Sequence, residues 1–162
     1  MLLKSLMVQC CMRGNLSICP GFRGSTPAGS GILIAALITA DTPPDQVYQA
    51  CRKKRFALVT SLWQLEEFRR ASRYKKVRKF LKSTDAGNLV NGLKRHATVL
   101  NELPEVNLSR DPQDNPVLAM AIAGKADYLV SGDRRGLLSL KRVGATRIVT
   151  AAEFLKILKK KR

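Results

Sequence analysis

Histidine and acid are both scarce in this sequence. One histidine, His96, occurs in 162 residues. The four cysteines, Cys10, Cys11, Cys19 and Cys51, form no C-x-x-C pair. A zinc centre needs several imidazole or thiolate ligands at close spacing, so none is expected. A chain of this length does not need a disulfide scaffold, and reduced thiols in a cytoplasmic setting are the expectation. No apolar run reaches the roughly 18 residues that a membrane span requires. The opening Met1–Met12 is briefly apolar but lacks a cleavage signal, so no secretory leader is expected. Acids number 12 against 29 Lys plus Arg, a formal charge of +17.

What is present suits one compact domain, with 45% hydrophobic residues to build its core. The first 28 residues contribute Lys4, Arg13 and Arg23 and no acid, so most of the positive charge belongs to the folded part. A field of that sign attracts polyanions, and counterion release from phosphates drives such binding. The densest basic stretches are Arg52-Lys53-Lys54-Arg55 and the series Arg69, Arg70, Arg73, Lys75, Lys76, Arg78, Lys79, Lys82. Each also reads as a solvated helix face. Tyr74 and Phe80 read equally as core residues or as stacking platforms for bases.

Residues 1–28 mix Cys, Gly, Pro, Ser and Arg without a sustained period and read as an irregular or disordered leader; residues 29–162 read as the domain. Ile32 to Ile38 is a short apolar run. Pro43-Pro44 opens a helix through Arg52. Phe56–Val59 reads as a buried strand, and Ser61-Leu62-Trp63-Gln64 as a capping box. Two helices are expected over Tyr74–Leu81 and Asp85–Arg95, then a short strand over Ala97–Leu100. Asp114–Ala123 reads as a helix ended by Gly124. Tyr128–Val130 is a strand, Ser131-Gly132-Asp133 a turn, and Arg135–Leu140 a short helix. Arg147–Val149 is a further strand. Thr150-Ala151-Ala152-Glu153 is a capping box that opens a last helix. Strands alternating with helices predict an α/β protein with a parallel sheet and helices on both faces.

Ligands of an open parallel sheet bind at the carboxyl ends of its strands. Asp133 follows a strand directly, Asp114 opens the helix before that strand, and Glu67 lies in the helix after Phe56–Val59. Clustered carboxylates repel one another unless a cation neutralises them. Oxygen ligands without His or Cys suit Mg²⁺ or Mn²⁺, which can support hydrolysis of a phosphodiester. Each acid also has a plainer role. Asp133 can cap the helix that follows it. Asp111 and Asp114 can be turn and cap residues. Glu66 and Glu67 can face solvent and offset Arg69, Arg70 and Arg73 at helical spacing.

Several stretches resemble the PIN-domain family, especially the toxin components of toxin–antitoxin systems. They are Ala36-Leu37-Ile38 with Pro43-Pro44, Leu58-Val59-Thr60-Ser61 through Glu67-Phe68, Arg110 to Asn115, Ala126 to Asp133, and Arg147-Ile148-Val149-Thr150 through Leu155. The resemblance covers about Ile32 to Leu158. It implies a three-layer α/β/α PIN-like fold with a central parallel sheet. It further implies Mg²⁺- or Mn²⁺-dependent RNA cleavage, an antitoxin protein as partner, and a homodimer of the kind such relatives often form. It assigns Glu67, Asp114 and Asp133 as catalytic and metal-holding residues, with Ser131 as the small hydroxyl residue beside the last acid. Glu66 is the less fitting partner, because the family glutamate directly precedes the position that Phe68 matches.

The beginning departs from that pattern. The family opens with an apolar strand ending in Asp-Thr-Asn, whereas Gly29-Ser30-Gly31 precedes the apolar run here. Gly29 stands where the first acid belongs, and no strand-forming run comes before it. Residues 1–31 read as unrelated sequence joined to the domain, as a frameshift or misassigned start would produce. Two outcomes follow: a metal-dependent ribonuclease weakened by the missing acid, or an inactive PIN-like protein that binds RNA or an antitoxin without cutting.

Overall fold

The computed structural model describes residues 25–26, 40–73, 75–78 and 83–160. Gly29, the Ile32–Ile38 run and most of the leader lie outside the described residues. In chain order the elements are β1 (Ser25–Thr26), α1 (Pro43–Arg52), β2 (Ala57–Ser61), α2 (Leu62–Ser72), α3 (Lys75–Arg78), α4 (Ser83–His96) and β3 (Ala97–Leu100). A 3₁₀ turn (Pro112–Asp114) leads into α5 (Asn115–Ala123), β4 (Tyr128–Val130), α6 (Leu137–Leu140), β5 (Arg142–Val143), β6 (Thr146–Val149) and α7 (Ala151–Lys160). The chain is an α/β protein.

The strands form two three-stranded sheets, in the orders β1-β2-β3 and β4-β6-β5. All pairings are parallel except that of β5 with β6. Ser25 and Thr26, within the stretch expected to be irregular, pair in parallel with Ala57 and Leu58. β1 also lies beside β4, so the two sheets adjoin.

Successive residues of each main strand enter different cores. Leu58, Val130 and Val149 join a cluster with Val47 of α1, Phe68 of α2, Leu89 of α4 and Phe154 of α7. Their strand neighbours Val59, Leu129 and Ile148 join a second cluster with Leu118 and Met120 of α5 and Leu137 of α6. The period of two along a strand thus explains why these strands read as continuous apolar runs. Each fully buried Phe or Leu contributes about 1.5–3 kcal/mol. Cys51, also in the first cluster, has its thiol pKa pushed up to about 12 by burial, so it acts as a small apolar side chain.

Local chemistry sets the helix ends. Pro43 and Pro44 occupy the first turn of α1. Ser61 caps α2 by accepting from Gln64 N–H at 3.2 Å. Only half of that capping box forms, because Gln64 Oε1 accepts from Thr60 Oγ1 at 3.4 Å. The box at α7 is reciprocal: Glu153 N–H donates to Thr150 Oγ1 at 3.2 Å, and Thr150 N–H donates to Glu153 Oε2 at 2.7 Å.

α1 and α5 end in the same way. Lys54 N–H bonds Cys51 O while Arg55 N–H bonds Ala50 O; Lys125 N–H bonds Ile122 O while Ala126 N–H bonds Ala121 O. This paired pattern is the Schellman motif, whose left-handed position glycine usually fills. Here lysines fill it, with φ of +53° at Lys54 and +50° at Lys125. Gly124 ends α5 as expected, as its C-cap with φ −76°, one position before the left-handed Lys125. The remaining differences are also local. The expected helix from Asp114 starts at Asn115 behind the 3₁₀ turn. The Phe56–Val59 strand is shifted to Ala57–Ser61. Of the expected Tyr74–Leu81 helix, Lys75–Arg78 is helical and Tyr74, Lys79, Phe80 and Leu81 lie outside the described residues. β5 was not expected; it folds back on β6 through Gly144, whose φ is +54°.

The α7 box yields a pH-dependent prediction. The bonds from Thr150 hold the Glu153 carboxyl below the ordinary glutamate range. A depressed carboxyl stabilises the fold above its unfolded pKa and loses that contribution as pH falls through the folded value. Thr150→Ala is expected to cost about 1 kcal/mol in urea denaturation at neutral pH. The difference from the parent should shrink in acid, once Glu153 is protonated in both states.

Candidate active site

Asp133 lies three residues beyond the end of β4. Ser131, buried at that strand end, donates its N–H to Val149 O of β6 at 2.9 Å. Its Oγ accepts from Asp133 N–H at 2.9 Å. Asp133 Oδ1 accepts from Arg135 N–H at 3.1 Å, an Asx turn. The helix that follows is not capped by this carboxylate: Gly136 is its N-cap and makes no side-chain cap bond. Oδ2 is thereby turned toward Gly136.

Asp114 arrives from the other direction, at the junction of the 3₁₀ turn and α5. The capping work there falls to Asp111, whose Oδ1 accepts from Gln113 N–H at 3.0 Å. Asp114 itself makes no side-chain cap bond and is 1% exposed. Its Oδ2 accepts from Ser109 Oγ at 3.1 Å, and its buried Oδ1 has no hydrogen-bond partner. Ser109 is held in turn by Asn115, whose Oδ1 accepts from both Leu108 N–H and Ser109 N–H at 3.0 Å.

The two carboxylates meet over Gly136. A Cβ built on that glycine would fall onto Asp133 Oδ2 and lie 3.0 Å from Asp114 Oδ2. A side chain at this position would force the Asp133 carboxylate to move. Burial raises the Asp114 pKa most; Ser109 opposes the rise, and the negative charges of Asp111 and Asp133 add to it.

Glu67 stands apart from this pair. It is half-buried in α2 and forms an ion pair with Arg70 at 2.8 Å, one helical turn on. Glu66 is exposed. Among the described residues no three His, Cys, Asp or Glu side chains gather closely enough to hold a metal ion. The described structure therefore brings together two of the three acids singled out from the sequence. Ser109 and Gly136 were missed: a serine in a loop and a glycine in a turn carry no spacing signal, and only their contacts with the aspartates reveal them.

The pair fits a hard divalent cation in three respects. Both donors are carboxylate oxygens, one buried oxygen lacks a partner, and two negative charges share one space. Mg²⁺ is commonly held by one or two carboxylates together with waters and substrate phosphate. Asp114 and Asp133 would hold such an ion. Around them, Arg110, Arg134 and Arg135 are exposed. Alongside lies a cavity of about 630 Å³, lined by Trp63, Asn101, Val106, Asn107, Pro112 and Asn115 among others.

Paired carboxylates beyond the strand ends of an α/β protein are suited to holding a divalent cation. The model of the PIN domain family matches residues 30–135, well over half of the chain. The chain belongs to the PIN domain family, whose members are generally nucleases. The matched stretch contains Glu67, Asp114, Asp133 and Gly136's neighbour Arg135. No curated protein and no solved structure matches the chain significantly. No helix among the described residues is long and apolar enough to cross a membrane.

Two measurements test the geometry. Gly136→Ala should drive a methyl group into Asp133 Oδ2; calorimetry is expected to show a loss of about 1–3 kcal/mol. Asp114→Asn should behave in the opposite sense without divalent ions. An acid whose folded pKa is raised destabilises the fold when charged, above that pKa, and the penalty disappears as pH falls through it. The amide variant should therefore be more stable at neutral pH, by about 0.5–2 kcal/mol, with the gap closing in acid.

Proposed function

We propose that this protein is an Mg²⁺- or Mn²⁺-dependent ribonuclease with a three-layer α/β/α PIN fold, acting in the cytoplasm as the toxin of a type II toxin–antitoxin system. The three-layer reading is supported by the alternation of Leu58, Val130 and Val149 with Val59, Leu129 and Ile148 between two helix-lined cores. The nuclease reading rests on one observation: Asp114 and Asp133 share the space over Gly136, and the buried Asp114 Oδ1 is left without a partner.

A bound divalent cation would supply the Lewis acidity for phosphodiester hydrolysis. The chain's own residues do the rest. Asp114 and Asp133 would hold the ion through oxygen, and Glu67 would join them as a third acid only by leaving its ion pair with Arg70. Ser109, Ser131 and the Arg135 amide keep the two aspartates in place. Arg110, Arg134 and Arg135 supply a positive rim for the RNA backbone, which favours binding without reading sequence. The adjoining cavity with Trp63 has room for an unpaired base. An antitoxin protein and a second copy of the chain are the partners this reading carries.

A second reading is favoured by a specific feature. By the sequence resemblance Gly29 stands where the family's first acid is expected, and Glu67 is paired with Arg70 instead of with the aspartates. An inactive PIN-like protein that binds RNA or an antitoxin would have this pattern.

Cleavage of labelled RNA with Mg²⁺ and Mn²⁺ separates the two. For the enzyme, Asp114→Asn should lower the rate by about 100-fold or more while RNA binding persists. Gly29→Asp should raise the parent rate. No cleavage by the parent or by Gly29→Asp, with binding intact, would establish the second reading.

A further inference from the structure

The Arg52–Arg55 run plays no part in the acidic site and lies at the opposite end of the sheet. Phe56, just before β2, and Tyr128, the first residue of β4, both pack on Phe154 of α7, with ring centroids 5.2 and 6.0 Å away. The two strands therefore begin at one shared end, while Asp133 follows the far end of β4. α1 and α7 deliver cations to this beginning. α1 closes with Arg52 and runs into Lys53, Lys54 and Arg55; α7 closes with Lys159 and Lys160. Arg55 Nη2 donates to Leu158 O at 3.3 Å, which fastens the α1–β2 turn to the last turn of α7. Arg52, Lys53, Lys159 and Lys160 are all exposed.

Most acids lie elsewhere: Asp45, Asp85 and Glu153 open α1, α4 and α7, and Asp114 and Asp133 lie beyond the strand ends, while Asp127, just before β4, is an exposed acid at the cationic end, where the cations outnumber it. Complementing a helix dipole needs a cation or two in the last turn of each helix. The turn adds three more after Arg52, which exceeds that need. Among the described residues, the exposed large apolar side chains are Leu62, Leu108, Ile122 and Leu140, and none of them belongs to this turn or to α7. Protein interfaces are anchored by aromatic or apolar side chains, whereas a mainly cationic face suits a chain of phosphates.

We propose that the α1–β2 turn and the end of α7 form a second RNA-binding face, which grips the backbone phosphates of a single strand away from the acidic pair. RNA as the partner is taken from the function proposed above. The face adds affinity for long strands and leaves cleavage chemistry to the other end.

The test is binding of fluorescent polyuridine to the full chain in EDTA, titrated over a range of KCl. The triple variant Arg52→Gln, Lys53→Gln, Lys159→Gln is expected to bind about tenfold more weakly at low salt. Its plot of log affinity against log salt should be shallower by about 2, from roughly 0.7 per phosphate contact. The charge-keeping variant Arg52→Lys, Lys53→Arg, Lys159→Arg should bind like the parent. Should the triple variant not fold, the double variant Lys159→Gln, Lys160→Gln takes its place, with a slope shallower by about 1.4. Parent-like affinity and slope in the folded neutralised variant would overturn the proposal. So would a parent that binds polyglutamate but not polyuridine. Cleavage of a very short RNA reports separately on the acidic pair. Parent cleavage with an unchanged slope in the variant sinks this face alone; a lost slope without any cleavage sinks only the nuclease reading.

Discussion

Two aspartate carboxylates held against each other over a glycine set the terms for one whole end of this molecule. Burial is the main cause that raises the Asp114 pKa, and the negative charges of Asp111 and Asp133 add to the rise. The arrangement persists because the surrounding backbone leaves it no alternative. Asp133 is fixed by Ser131 and by an Asx turn; Asp114 is fixed by Ser109, which Asn115 pins from the next turn. Gly136 supplies the empty volume. Such a site stores unfavourable electrostatics in the fold, and the rest of the core must outweigh it.

That core is organised by the sheets. β2 has four of its five residues buried, and its neighbours alternate between the two apolar clusters. A strand covered on both sides cannot slip by one residue without exchanging its two faces, so its end is well fixed in space. The same holds for β4, whose Val130 precedes Ser131. Rigid strand ends let short turns hold charged groups to within a few tenths of an ångström, which loops alone do poorly.

Much of this was legible in the sequence, for identifiable reasons. Proline at the start of α1, the Thr150–Glu153 box and the apolar runs of β2, β4 and β6 each carry a local signal that tertiary contacts reinforce. Asp114 and Asp133 were legible because they sit next to strand and helix boundaries. Glu67 was legible as a candidate but not in its contacts: Arg70 lies one helical turn away and competes for it, which spacing alone leaves open. Gly136 and Ser109 act through contacts across the fold, which no local pattern encodes. β5 is two residues long and exists only by pairing with β6. Ser25 and Thr26 likewise form a strand only because β2 offers an open edge, so no β-rich run announced them.

The lysines that close α1 and α5 carry a last consequence. A left-handed backbone costs an ordinary residue roughly 1–2 kcal/mol, and glycine would avoid that cost. Substituting glycine at Lys54 or Lys125 would relax the torsion while removing a positive charge from beside the carbonyls that end each helix. Thermal tolerance and electrostatic reach therefore trade against each other at two single positions, and a stabilised version of this protein made by relieving backbone torsion would hold polyanions less firmly.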